Sequence, residues 1–188
     1  MSTSSFRLVL PNLITVARLC AVPVTIFLIL DGEMAAAFWL FVAAGISDAV
    51  DGFLAKHFDA RTMIGGYLDP LADKALLVSV YIALGYQSHL PMWLVILVVF
   101  RDGLIVLGVA LAHALSHPIR VRPLLISKVN TGMQIALAAF VLLKLGPGVD
   151  LKMVVPMIYL TAASTLASGA AYVIEGLRGA ARIEGASR

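Results

Sequence analysis

The chain has 188 residues, of which 61% are hydrophobic and only 13% charged, with a formal net charge of +3. Soluble globular chains average about 45–50% apolar and about 25% charged residues, so this composition excludes a water-soluble domain and points to lipid as the solvent. It also leaves no basic soluble face of the kind that binds nucleic acid. Cys20, the single cysteine, excludes an intrachain disulfide and a cysteine-based zinc site. Its apolar neighbours predict a small buried hydrophobe.

Residues 1–10 are too short to cross a bilayer, so they are expected along the membrane interface. The first apolar run begins near Leu13 and reaches Asp31 without a small-residue cleavage pattern, so it reads as a retained span over 11–30. Further spans follow at 34–55, 69–87, 91–115, 125–145 and 152–177, each near the ~20 residues a membrane helix requires. The connections are short and no internal repeat is visible. The expected fold is all-α: one polytopic domain over 1–188 with six transmembrane helices, an interfacial amino-terminal segment and a charged tail at 179–188.

With both termini on one side, that side carries Arg7, Lys56, Arg61, Arg120, Arg122, Lys128, Arg178, Arg182 and Arg188, and the other only Lys144 and Lys152. The excess predicts cytoplasmic termini. Trp39, Tyr86 and Trp93 fall near span ends, where aromatic belts form. His113 and His117 have a metal-compatible i, i+4 spacing but no third ligand nearby, so they are not counted as ligands.

Charged residues inside spans are costly and mark function. Asp48 and Asp51 close the second span at i, i+3 spacing, and Asp69 and Asp73 open the third at i, i+4. Each pair therefore shares one helix face. Arg18 lies about two turns into the first span from the same side, so four carboxylates and an arginine share one shallow layer. Four carboxylates brought together by two such faces need cations. Hard divalent ions suit all-oxygen ligands, and a two-metal clamp suits phosphoryl displacement. Gly52 and the Gly65-Gly66 pair bracket the carboxylates and permit close approach of a ligand. A cation carrier is the reading from a different class. The one-sided, shallow cluster and the missing repeat argue against it.

The pattern Asp48-x2-Asp51-Gly52-x2-Ala55-Lys56-x8-Gly65-x3-Asp69-x3-Asp73 resembles the signature of the CDP-alcohol phosphotransferase family. Every spacing agrees; the one departure is Lys56, where the family has Arg. Lys keeps the charge but loses the planar fork. Pro11-Asn12-Leu13-Ile14-Thr15-x2-Arg18 and Leu68-Asp69-Pro70-Leu71-Ala72-Asp73-Lys74 resemble the glycerophospholipid branch, which makes cardiolipin or phosphatidylglycerophosphate. Arg101-Asp102 and Ser127-Lys128-Val129-Asn130-Thr131 look closer to the cardiolipin type.

The resemblance implies transfer of a phosphatidyl group from CDP-diacylglycerol to an alcohol with release of CMP. Phosphatidylglycerol is the favoured acceptor and glycerol 3-phosphate the alternative. It implies two divalent cations, Mg2+ or Mn2+, on Asp48, Asp51, Asp69 and Asp73, with Asp73 as general base. It places Asn12, Gly52, Ala55, Lys56 and Gly65 at the CDP moiety. The anionic acceptor needs cations, for which Arg18, Arg101, Arg120, Arg122 and Lys128 are the candidates. Arg120 and Arg122 also read as interfacial charges, and Arg101 also reads as half of a structural pair. The implied setting is a homodimer in a bacterial inner membrane.

Overall fold

The computed structural model describes residues 3–58, 65–114, 125–150 and 152–186, with side chains over 16–48, 74–108, 125–150 and 152–176. The described residues form six helices and no strand: α1 Thr3–Leu30, α2 Met34–Phe58, α3 Gly65–Tyr86, α4 Met92–Ala114, α5 Leu125–Leu145 and α6 Val154–Ala186. Two of them, over Leu125–Leu145 and Val154–Gly176, are long and apolar enough among the described residues to cross a membrane.

Several boundaries differ from the sequence expectation, α2 running on to Phe58 among them. Residues 3–10 are helical and continuous with α1, which therefore begins earlier than the span expected from residue 11. The Gly65-Gly66 pair begins α3 instead of preceding it. The expected tail from 179 continues α6 as far as Ala186. Hydropathy locates where apolar surface stops, whereas a helix continues for as long as its backbone bonds propagate. Cys20 is also corrected: it is exposed on α1, because an apolar helix in lipid need not bury every apolar side chain.

The chain divides into two compact units, Met1–Leu90 with Ala138–Leu151, and Pro91–Leu137 with Lys152–Arg188. In the first, α1 packs along both α2 and α3. The turn between α1 and α2 is a Schellman cap. Gly32 takes φ +83°, its N–H donates to the Ile29 carbonyl at 3.2 Å, and the Glu33 N–H donates to the Leu28 carbonyl at 2.9 Å. The end of α3 repeats the geometry without glycine: Ser88 sits at φ 61°, and His89 N–H donates to Leu84 O at 2.9 Å. At the end of α5, Gly146 lies so close to the start of α2 that an added Cβ would stand 2.6 Å from Ala35 Cα.

In the second unit α4 packs against α6. Its apolar core includes Leu94, Val95, Val98, Leu137, Ile158 and Ala162. Arg101, Asp102, Asn130, Gln134, Thr161, Thr165 and Ser168 are buried as well. Phe27, Trp39, Phe100, Tyr159 and Leu166, by contrast, are exposed. Large apolar side chains at the surface over polar ones inside are the distribution expected of a protein in lipid.

Candidate active site

The acidic motif sits at the end of a buried stripe. Met34, Ala37, Phe41 and Ala44 are buried at helical spacing along α2, and Asp48 is the next position on that face. Among the described side chains of α1 the buried ones are Arg18, Thr25 and Ile29. The two helices are joined by a tight turn, with Arg18 and Asp48 respectively 14 residues before and 16 after Gly32. That hairpin brings their side chains together as an ion pair, with Arg18 Nη1 2.9 Å from Asp48 Oδ1. The Arg18 side chain is 3% exposed and that of Asp48 is 47% exposed. The sequence placed Arg18 in one layer with the four carboxylates, and the structure pairs it with Asp48.

Asp51 lies in α2, and Asp69 and Asp73 lie in the first turns of α3. The side chains of these three residues, and of Asn12, Gly52, Ala55, Lys56 and Gly65, fall outside the described ones. Arg120 and Arg122 fall outside the described residues altogether. No three metal-ligating side chains come together among the described residues. The donor set still fits a divalent cation: the one described member, Asp48, is a half-exposed carboxylate engaged through a single oxygen, and the other three positions are carboxylates at one-face spacing.

In the second unit Arg101 is buried on α4 at the centre of a polar cluster. Its Nη1 donates to Asp102 Oδ1 at 2.7 Å, and its Nη2 donates to Ser127 Oγ at 2.7 Å and to Ser168 Oγ. The guanidinium carbon lies 5.8 Å from the Tyr172 ring centroid, within cation–π range. Nε, also buried, has no hydrogen-bond partner. One helical turn along, Asn130 Oδ1 lies 2.7 Å from Ser164 Oγ and 2.8 Å from Thr165 Oγ1, two hydroxyls that also reach the Thr161 carbonyl, and its Nδ2 is buried without an acceptor. Lys128, on the same helix as Asn130, is exposed.

The α6 contribution to this cluster was missed from the sequence. Its signal is the spacing Thr161, Thr165, Ser168, matched on α5 by Ser127, Asn130, Gln134: polar side chains on one face of an otherwise apolar helix.

The sequence profile of the CDP-alcohol phosphatidyltransferase family matches residues 8–168. A protein of Oryza sativa subsp. japonica named CDP-diacylglycerol–glycerol-3-phosphate 3-phosphatidyltransferase 1, chloroplastic, is 36% identical over 185 residues, covering 88% of this chain and 56% of its own length. A cardiolipin synthase (CMP-forming)/mitochondrial hydrolase fusion protein of Schizosaccharomyces pombe is 33% identical over 181 residues, 88% of this chain and 30% of that protein. A probable cardiolipin synthase (CMP-forming) of Drosophila melanogaster is 32% identical over 185 residues, again 88% of this chain and 56% of its own. The match thus spans between 30% and 56% of these relatives. With a profile match across most of its length and the acidic motif in place on α2 and α3, the chain belongs to the CDP-alcohol phosphatidyltransferase family.

Proposed function

We propose that this chain is a membrane phosphatidyltransferase of phospholipid biosynthesis, which moves a phosphatidyl group from CDP-diacylglycerol to the hydroxyl of an anionic glycerol-type acceptor and releases CMP. The observation that carries the reading is the full acidic motif inside the family match at 8–168. Asp48, Asp51, Asp69 and Asp73 are the proposed holders of two Mg2+ or Mn2+ ions. When bound, such ions neutralise the diphosphate and the charge developing on the departing CMP.

Asn12, Gly52, Ala55, Lys56 and Gly65 are proposed to hold the CDP moiety, with Lys56 supplying a positive charge to the phosphates. Asp73 accepts the proton of the acceptor hydroxyl. That oxygen forms a bond to the β-phosphorus, and the bond from the same phosphorus to the CMP oxygen breaks, its electron pair leaving with CMP. A carboxylate can do this only through an oxygen that is not held by a cation. Lys128, Arg120 and Arg122 are the proposed acceptor cations. Arg101 joins them under one constraint: both N–H groups of Nη2 and one of Nη1 are already engaged, so the buried Nε–H and the second Nη1–H are what it has for an anion.

Phosphatidylglycerol is the proposed acceptor, which would make the enzyme a CMP-forming cardiolipin synthase. Asp102 beside Arg101 and the Ser127–Thr131 segment support it. Glycerol 3-phosphate is the second reading, favoured by the 36% identity to the rice enzyme that bears that acceptor in its name. Six membrane spans, a single domain, cytoplasmic termini and active site, and a homodimer in a bacterial inner membrane complete the proposal. The excess of Lys and Arg on one set of connections supports the orientation.

The test is an acceptor screen with purified chain in detergent, labelled CDP-diacylglycerol and Mn2+ or Mg2+. Metal-dependent CMP release with phosphatidylglycerol alone establishes the cardiolipin reaction. Release with glycerol 3-phosphate alone moves the assignment to the second reading. No release with either acceptor rejects both.

A further inference from the structure

A buried guanidinium loses its hydration, so its presence in a helix interface calls for a compensating partner. Arg18 has one in Asp48. The contact is one-sided in a useful way. Arg18 lies deep between the helices and takes Oδ1, while the Asp48 side chain is half exposed. A carboxylate held at one oxygen rotates less freely, and its other oxygen is the one it offers unshared. Charge-assisted bonds from a planar guanidinium are short and directional, which suits this task better than the mobile ammonium of lysine.

We propose that Arg18 is a positioning residue for Asp48: it anchors Oδ1 so that Asp48 meets a divalent cation through its other oxygen alone. The inference rests on the assignment of Asp48 to the metal site, and it moves Arg18 away from the acceptor. It also carries a selectivity. Mg2+ requires near-ideal six-fold geometry, whereas Ca2+ takes six to eight oxygens and accepts carboxylates through one oxygen or both. Restricting Asp48 to one oxygen favours the smaller, six-coordinate ions. Freeing it relaxes that restriction.

The experiment is direct titration of the full chain in detergent with Mn2+, and separately with Ca2+, without either substrate. It compares the wild type with Arg18→Met and Arg18→Lys, alongside the KM for each acceptor. Loss of an outer partner of a metal ligand weakens metal binding by about 10- to 100-fold. Arg18→Met is therefore expected to lose Mn2+ affinity by about that factor while losing less Ca2+ affinity, with the acceptor KM unchanged. Arg18→Lys, which keeps the charge and is the milder change for folding, is expected to fall between Met and wild type.

Unchanged Mn2+ affinity in both variants overturns the proposal, as does an equal loss for both ions, which a purely structural role would produce. A raised acceptor KM with Mn2+ binding intact returns Arg18 to the acceptor. A wild-type chain that binds no Mn2+ overturns the metal-site reading itself, and this inference with it. The first three failures appear only in the variants, so the two kinds are told apart.

Discussion

The side-chain amide of Gln87, just past the end of α3, donates to the carbonyl oxygens of Leu30 at 2.9 Å and Ile29 at 3.3 Å. The last carbonyls of a helix have no partner within it. Here a residue 57 positions away in sequence supplies one for α1. Gln87→Ala removes the donor without disturbing the Schellman cap at Gly32. The expected loss is about 1 kcal/mol of stability, read as a lower thermal unfolding midpoint of the purified chain. An unchanged midpoint would show that solvent or lipid headgroups satisfy those carbonyls equally well.

Ser88 holds a left-handed conformation, φ 61°, at the position of the α3 cap where glycine is the low-cost residue. Ser88→Gly removes the clash between Cβ and backbone and is expected to stabilise the chain by about 1 kcal/mol. Because glycine also adds freedom to the unfolded chain, a gain smaller than this is informative about that state.

Gly146→Ala should act in the opposite direction. Its Cβ would meet Ala35 Cα at 2.6 Å and Ala35 N at 2.7 Å, and backbone atoms cannot swing aside. The expected cost is about 1–3 kcal/mol, the usual range for overpacking. Equal midpoints for wild type and variant would mean that α2 and the end of α5 separate readily.

Arg101 and Asp102 form a buried pair at 2.7 Å. Removing one partner leaves the other charge buried without it, so Arg101→Met and Asp102→Leu are each expected to cost about 3–5 kcal/mol. The double variant should cost less than the two together, by about 2 kcal/mol or more, because it leaves neither charge behind. Additive losses would mean that Ser127, Ser168 and Tyr172 hold Arg101 without help from Asp102.

Turnover probes the motif itself. Asp69→Asn removes the charge that a cation needs while keeping the side chain's size, and is expected to abolish CMP release in a chain that still inserts and unfolds normally. Lys56→Arg restores the fork suited to phosphate and should leave activity within a few-fold of wild type or raise it. A large loss would mean that the nucleotide pocket is shaped around an ammonium.

Six helices were legible because apolar runs of membrane length, broken by short polar turns, leave few other solutions, and the α5 bounds at 125 and 145 agree with the structure. The extensions of α1 and α6 were not legible, since a charged or polar turn propagates a helix without leaving a hydropathy signal. Asp48 was readable from its spacing to Asp51. That Arg18 shares its layer was readable as well, but the pairing with Asp48 was not, because the two meet only through the fold of the α1–α2 hairpin. Arg101 was singled out as a charge in an apolar span, and its Asp102 neighbour was in view. Ser168 and Tyr172 were invisible as its partners, for they lie on α6, about 70 residues away, and a serine or tyrosine in a helix announces nothing by itself.

The apolar outer surface of this molecule, with Phe27, Phe100 and Leu166 turned outward while Arg101, Asn130 and Thr165 are enclosed, makes the surrounding amphiphile part of the folded state. Burial in such a protein is completed by acyl or detergent chains, so the free energy of unfolding belongs to chain and amphiphile jointly. Changing the detergent tail is then equivalent to repacking one side of every outward-facing helix. Stability differences between variants keep their meaning only within a single amphiphile, and a weakly packed variant in a short-tailed detergent can regain its order in a bilayer without any change in its own contacts.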